Sequence, residues 1–206
     1  MHRTLPNIGI IEDKLSKDTI KKLKFCIKDK QNKMNKKLAG NISESFSIPD
    51  KNDWFFKTVL LPLVNQYSPT NLAAIVPNVL TKSCSFVLHE FWVNFQKKFE
   101  FNPAHNHRGV FSFVIWVDIP SSYNKEKEIP FVKHSNTPMA NTFEFCYTNI
   151  LGKIATYSYL LESEDEGTIL LFPSSLVYLV YPFYLSNKDR VSISGNISLD
   201  PKKAIK

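Results

Sequence analysis

At 206 residues, with 43% hydrophobic and 13% aromatic side chains, the chain can bury one substantial core but is short for two independent domains. This composition excludes intrinsic disorder, and no window reaches the ~18 to 20 apolar residues of a membrane span or holds an apolar run fit for a signal peptide. The net charge of +7 invites a nucleic-acid reading, but only Arg3, Arg108 and Arg190 are arginines, and a reader of phosphates or guanines is normally richer in that fork.

The basic excess is concentrated early, with ten lysines between Lys14 and Lys37 against Asp18 and Asp29, and ends in Lys202, Lys203 and Lys206. It reads as a solvated helix face and tail. Apolar positions Ile20, Leu23, Ile27, Met34 and Leu38 recur at mostly helical spacing after Ser16, a fitting N-cap, and Gly40 stops the run. A second helical stretch runs from Trp54 to Gln66 and is kinked or divided by Pro62. These stretches define an N-terminal helical annex, residues 1–82.

From Ser83 the texture changes to aromatic and β-branched runs of strand length: Ser83 to Phe95, Val110 to Ile119, Thr142 to Asn149, Lys153 to Leu161, Thr168 to Phe172, Leu176 to Pro182 and Arg190 to Leu199. Turn residues separate them, among them Asn102-Pro103, Leu151-Gly152 and Ser186 to Asp189. Many strands with no helix between them predict a mainly β protein, a jelly roll over 83–200 followed by a basic tail, 201–206. The polar stretch Ser121 to Ala140 reads as a long loop that covers or shapes a site.

Cys26, Cys84 and Cys146 are odd in number and form no close pair, which fits a reducing cytoplasm rather than a disulfide scaffold or zinc knuckle. Cys84 and Cys146 read as small buried hydrophobes, and His89 as a core histidine. Trp92, Phe113 and Trp116 read as core or pocket wall.

Chemistry is densest at His105-Asn106-His107. On an extended backbone, residues i and i+2 share a face, so both imidazoles can address one ion. Two neutral imidazoles suit iron, zinc, nickel or copper, and the residues alone leave that choice open. In the last run, alternation puts Arg190, Ser192, Ser194 and Asn196 on one face and Val191 and Ile193 on the other.

Four blocks, in this order, resemble the iron(II)- and 2-oxoglutarate-dependent oxygenases, in particular phage-type members related to the prolyl hydroxylase branch. They are Phe91 to Gln96; Phe101 to His107 with Ser112 to Trp116 and Ile119-Pro120; Gly167 to Ser174; and Arg190 to Asn196. The resemblance covers Phe86 to Ile197 and leaves out the annex. It implies a double-stranded β-helix, iron(II) and 2-oxoglutarate as cofactors, and a hydroxylase acting on a small molecule or a protein side chain in the cytoplasm, that of a host if the chain is phage-encoded. It further implies His105 and His107 as metal ligands, with Arg190 and Ser192 on the distal carboxylate of 2-oxoglutarate.

One position departs from the family pattern. Tyr178 stands where relatives usually carry the distal metal histidine, and no histidine follows it; His2, His89 and His134 all precede this strand, His134 being the least unsuited substitute. A phenol with a pKa near ~10 is a poor iron(II) ligand. Three outcomes follow: a dioxygenase using the two histidines with Tyr178 or water, a site turned to another metal, or a catalytically impaired binding or structural module. The sequence specifies neither the substrate nor an oligomeric state.

Overall fold

A computed structural model describes residues 9–67 and 84–204, with the side chains of 201–204 left aside. The boundary expected at 82/83 and the end of the basic tail lie outside the described residues, while the backbone of 201–204 continues the last strand.

Among the described residues ten strands form two antiparallel sheets. They are β1 (Ile11–Lys14), β2 (Glu44–Ser47), β3 (Cys84–Gln96), β4 (Asn102–His105), β5 (Phe111–Asp118), β6 (Thr142–Thr148), β7 (Ile154–Leu160), β8 (Thr168–Pro173), β9 (Val177–Val180) and β10 (Arg190–Ala204). The larger sheet has the order β1-β8-β5-β10-β3-β2 and the smaller β4-β9-β6-β7. This is a jelly roll, as the runs of alternating residues predict.

Period-two alternation gives each long strand of the large sheet two different faces. Phe91 and Val93 of β3, Phe113 and Ile115 of β5, and Ile193 of β10 turn outward into one apolar cluster with Leu23, Phe55, Leu60 and Leu63 of the N-terminal region. Helix α1 (Lys17–Lys28) supplies Leu23; Ser16 Oγ caps it by accepting from Thr19 N at 3.1 Å. Even-numbered neighbours turn inward. There Val114, Trp116, Leu170 and Phe172 meet Phe143, Phe145, Tyr178 and Val180 of the small sheet.

Several local expectations are revised. Helix α1 ends at Lys28, ten residues before Leu38, because Gln31 and Met34 turn to donate to Ser47 O and Ser45 O, both at 2.8 Å. The N-terminal region also contributes both edge strands of the large sheet, β1 and β2. The second helical stretch is divided, as Pro62 requires: a wide-wound segment, Phe56–Leu60, runs into Leu61–Val64. The loop from Ser121 to Ala140 holds two short helices, Tyr123–Glu126 and Pro130–Lys133.

His89 is exposed rather than core. The β3–β10 register jumps there, with Asn196 opposite Glu90 and Ile197 opposite Leu88, so a bulge leaves His89 unpaired and turned out. Cys84 and Cys146 are half-buried rather than buried. Trp92, Phe113 and Trp116 are core residues, each no more than 2% exposed. Among the described residues no helix is long and apolar enough to cross a membrane.

Candidate active site between the sheets

The inner face of the large sheet changes character along its length. Toward β8 it is apolar, whereas β3 and β10 present Glu90, Trp92, Asn94 and Gln96 directly opposite Asn196, Ser194, Ser192 and Arg190. Asn94, Gln96, Arg190, Ser194 and Asn196 are all buried. Buried polar groups are costly unless paired, and most of these are. Asn196 Oδ1 accepts from Ser112 Oγ at 2.7 Å, Asn196 Nδ2 donates to Glu90 Oε2 at 2.5 Å, and Ser45 Oγ donates to Asn94 Oδ1 at 2.7 Å.

The small sheet brings His105 and Tyr178 face to face. Strands β4 and β9 pair with His105 opposite Tyr178, their ring centroids 4.4 Å apart. His107 lies just past β4, 5.0 Å from the His105 ring and 5.7 Å from that of Tyr178. Its backbone N–H donates to Ser174 O at 2.8 Å, so the turn between β8 and β9 holds the histidine loop as well as leading to Tyr178. Gly109 completes that loop with φ +114; a Cβ there would strike Ile197 O at 2.8 Å. The three residues singled out by sequence therefore converge. His134 does not join them; it is exposed at the end of Pro130–Lys133.

The hydrogen bonds decide which lone pairs are available. His105 Nδ1 lies 2.7 Å from Pro103 O, an acceptor, so Nδ1 carries the proton and Nε2 keeps its lone pair for a metal. Burial lowers the pKa of His105, and it lowers that of His107 to about 4, aided by His105 and opposed by Glu90. Both rings are neutral at pH 7, as metal ligation requires. Tyr178 is buried against Phe143, stacked at 4.9 Å, and burial drives its pKa far above the usual phenol range. It stays a neutral phenol, and its Oη shares a hydrogen bond of 2.9 Å with His107 Nε2. The ring nitrogen Nε2 of His107 is thus engaged by the residue in the third position.

Arg190 lies deeper in the same barrel, 2% exposed, with its guanidinium centre 5.4 Å from the Phe183 ring. Nε and Nη2 donate to Gln96 Oε1 at 3.2 and 2.8 Å, Nη2 also to Tyr181 O at 3.0 Å, and Nη1 to Asn141 Oδ1 at 2.9 Å. All are neutral acceptors. Among the described residues no carboxylate touches it; Glu126 acts on it only through space, opposing the burial that lowers its pKa to about 9. At pH 7 it is a buried cation without a contacting counter-ion.

Two small cavities flank Tyr178. One, about 10 Å³, lies against His105, His107, Trp92 and Asn102; the other, about 20 Å³, lies against Gln96, Arg190, Ser192 and Ser194. Ordinary ligand pockets span roughly 300–1,000 Å³, so the barrel is closed in this conformation. Asn102 Oδ1 borders both, and it is the one buried side-chain polar atom left without a partner among the described residues. It is held there by Gly40, whose missing Cβ would sit 2.1 Å from that oxygen. An orphaned acceptor beside a water-sized space calls for a donor.

Sequence reasoning found His105, His107, Tyr178, Arg190 and Ser192 but missed Gln96, Asn102 and Asn141. The same parity that groups Arg190 with Ser192 also groups Gln96 with Trp92, a usable signal for the first. Asn102 opens the short β4, whose Asn-Pro pair reads as a turn, and Asn141 lies in a bend with φ +48, so no periodicity points either inward.

A double-stranded β-helix with two histidines at one edge and a buried arginine beneath them is the architecture of the non-haem iron oxygenases. The family model described as "Putative 2OG-Fe(II) oxygenase" matches residues 90–196, slightly more than half of the chain, covering β4 to β9 and parts of β3 and β10. The chain belongs to this family of iron(II)- and 2-oxoglutarate-dependent oxygenases. Among solved structures it is similar to a prolyl-4-hydroxylase from Pseudomonas putida, at 14% identity and a TM-score of 0.50 over 91% of each chain. It is also similar to the non-heme alpha-ketoglutarate-dependent carbocyclase SnoK from nogalamycin biosynthesis, at 8% identity and a TM-score of 0.52, over 94% of this chain and 80% of that one. At such identities the likeness is one of fold. No curated protein matches the sequence.

Proposed function

We propose that this chain is an iron(II)- and 2-oxoglutarate-dependent dioxygenase hydroxylating a small molecule or a protein side chain, with His105 and His107 holding the metal and Arg190 and Ser192 receiving the distal carboxylate. The observation that carries this reading is a pairing across one barrel: two neutral imidazoles at its mouth, and a buried guanidinium without a contacting counter-ion beneath them. A buried cation with only neutral partners costs free energy that an arriving carboxylate offsets. When bound, iron would activate dioxygen, the oxidant, one oxygen atom going into succinate as 2-oxoglutarate loses carbon dioxide and the other into the hydroxylated substrate. The protein's own share is to orient the co-substrate against Arg190 and to exclude water, for which the aromatic wall of Trp92, Trp116 and Phe143 is suited.

The third ligand position does not fit the metal. Among the described residues no cluster of three His, Cys, Asp or Glu side chains stands at the site, and the phenol of Tyr178 is neutral and already bonded to His107. That observation favours a second reading, a binding module with impaired catalysis. Anaerobic titration with iron(II) and then 2-oxoglutarate, followed by admission of air, separates the two. A visible charge-transfer band and succinate release are expected; a band without succinate favours the second reading, and neither band nor succinate overturns the first.

A further inference from the structure

We propose that Gln96 occupies the place of a ligand carboxylate on Arg190, so that a dicarboxylate enters only by displacing it, and that Gln96 thereby sets the affinity and selectivity of the pocket. This rests on the reading of Arg190 as the carboxylate receptor and adds to it the residue that competes for the same fork.

Gln96 Oε1 accepts from both Nε and Nη2 of Arg190, the adjacent N–H pair that one edge of a guanidinium offers to a carboxylate. The arrangement follows from register: Gln96 is the cross-strand neighbour of Arg190 on the inner face, so the carboxamide reaches the fork without leaving its strand. The same fork cannot bind two acceptors at full strength, and the adjoining cavity of about 20 Å³ has no room for both.

The other partners of Arg190 are fixed. Tyr181 contributes a main-chain carbonyl. Asn141 is fully buried, and its Nδ2 donates to Ser121 O and Leu161 O at 2.7 and 2.8 Å, so its carboxamide is tied at both ends. Gln96 Nε2 has a single partner, Glu100 O at 2.5 Å, in the turn between β3 and β4. Of the three acceptors it alone has a flexible side chain of several torsions and one tether. That tether lies in the turn leading to the strand of His105, so withdrawal of Gln96 and the approach to the metal edge are governed by one segment.

Calorimetric titration of the full chain with 2-oxoglutarate, in the presence of manganese(II) and absence of iron, tests this without turnover. Gln96→Ala empties the fork and is expected to bind about 10-fold more tightly than wild type. Gln96→Glu, nearly isosteric, places a permanent carboxylate on Arg190 and is expected to lower affinity more than 10-fold, so the idea stays testable if the alanine variant folds poorly. Equal affinities in all three proteins, or weaker binding by Gln96→Ala, would overturn the role of Gln96 while leaving Arg190 as receptor. No binding by any of them overturns both.

Discussion

The two faces of the large sheet, carried by the same strands, differ in nearly everything but register. On the outer face Phe91, Val93, Phe113, Ile115 and Ile193 close against Leu23, Phe55 and Leu60, with only carbon in contact. On the inner face β3 and β10 bury Asn94, Gln96, Arg190, Ser194 and Asn196. Apolar burial of the first kind stabilises a fold at roughly 25 cal/mol per Å², whereas a buried polar network must first offset the desolvation of every group in it. The outer face, with the apolar β5–β8 half of the inner face, therefore holds the molecule together, and the polar β3–β10 half of the inner face is there for what it binds.

The largest expected effect belongs to the outer face. Phe55 is fully buried, stacked on Phe91 at 5.4 Å and in contact with Phe113 at 5.8 Å. Phe55→Ala should cost about 3–5 kcal/mol in urea denaturation while the folded fraction keeps its metal affinity; a loss of metal binding at unchanged stability would break the division between faces. Arg190→Met comes next. It leaves Gln96 Oε1, Asn141 Oδ1 and Tyr181 O without their donor, offset by relief of a buried charge, for a net loss of about 2–3 kcal/mol. It should also abolish 2-oxoglutarate binding in calorimetry, whereas Phe55→Ala should not.

The difference between faces was legible in part. Residues from Phe91 onward alternate so regularly that most of the strands and the shared polar face of β10 follow from periodicity, whereas the placing of Tyr178 with the two histidines is what the family resemblance implies. Strands β1 and β2 were not legible, because Ile11–Lys14 and Glu44–Ser47 are short, largely polar segments made strands only by pairing with β8 and β3. Strand β4 was hidden by Pro103, which signals a turn yet is tolerated on an edge strand. The contact between Gln96 and Arg190 depends on the offset between strands almost a hundred residues apart, which no local pattern encodes. Helix α1 shows the converse: its apolar spacing persists to Leu38, but β2 claims the hydrogen bonds after Lys28.

The neutral histidines give the inner face a pH dependence that the outer face lacks. His107 titrates near 4 in the fold against 6.5 when unfolded, and burial lowers His105 as well. The unfolded chain therefore binds more protons below pH 6.5, so stability is complete above that pH and declines as pH falls toward 4. For His107 alone the decline between pH 7 and pH 5 is about 2 kcal/mol. Urea midpoints of metal-free protein at the two pH values check this, and His107→Asn should flatten the slope; an unchanged slope would mean that other groups carry it.

The smallest effect is the most informative about the site. Tyr178→Phe keeps the aromatic packing on Phe143 and Phe172 and removes only the hydroxyl that is hydrogen-bonded to His107 Nε2. Losing one such hydrogen bond should cost about 1 kcal/mol. Because the neutral phenol engages His107 Nε2 rather than supplying a ligand, affinity for zinc or iron(II) should hold or rise by a small factor, measured by competition with a chromophoric chelator. A fall of tenfold or more would make Tyr178 a metal ligand through its phenolate, and the apolar burial that keeps it protonated in the metal-free protein would then be overcome by the cation itself.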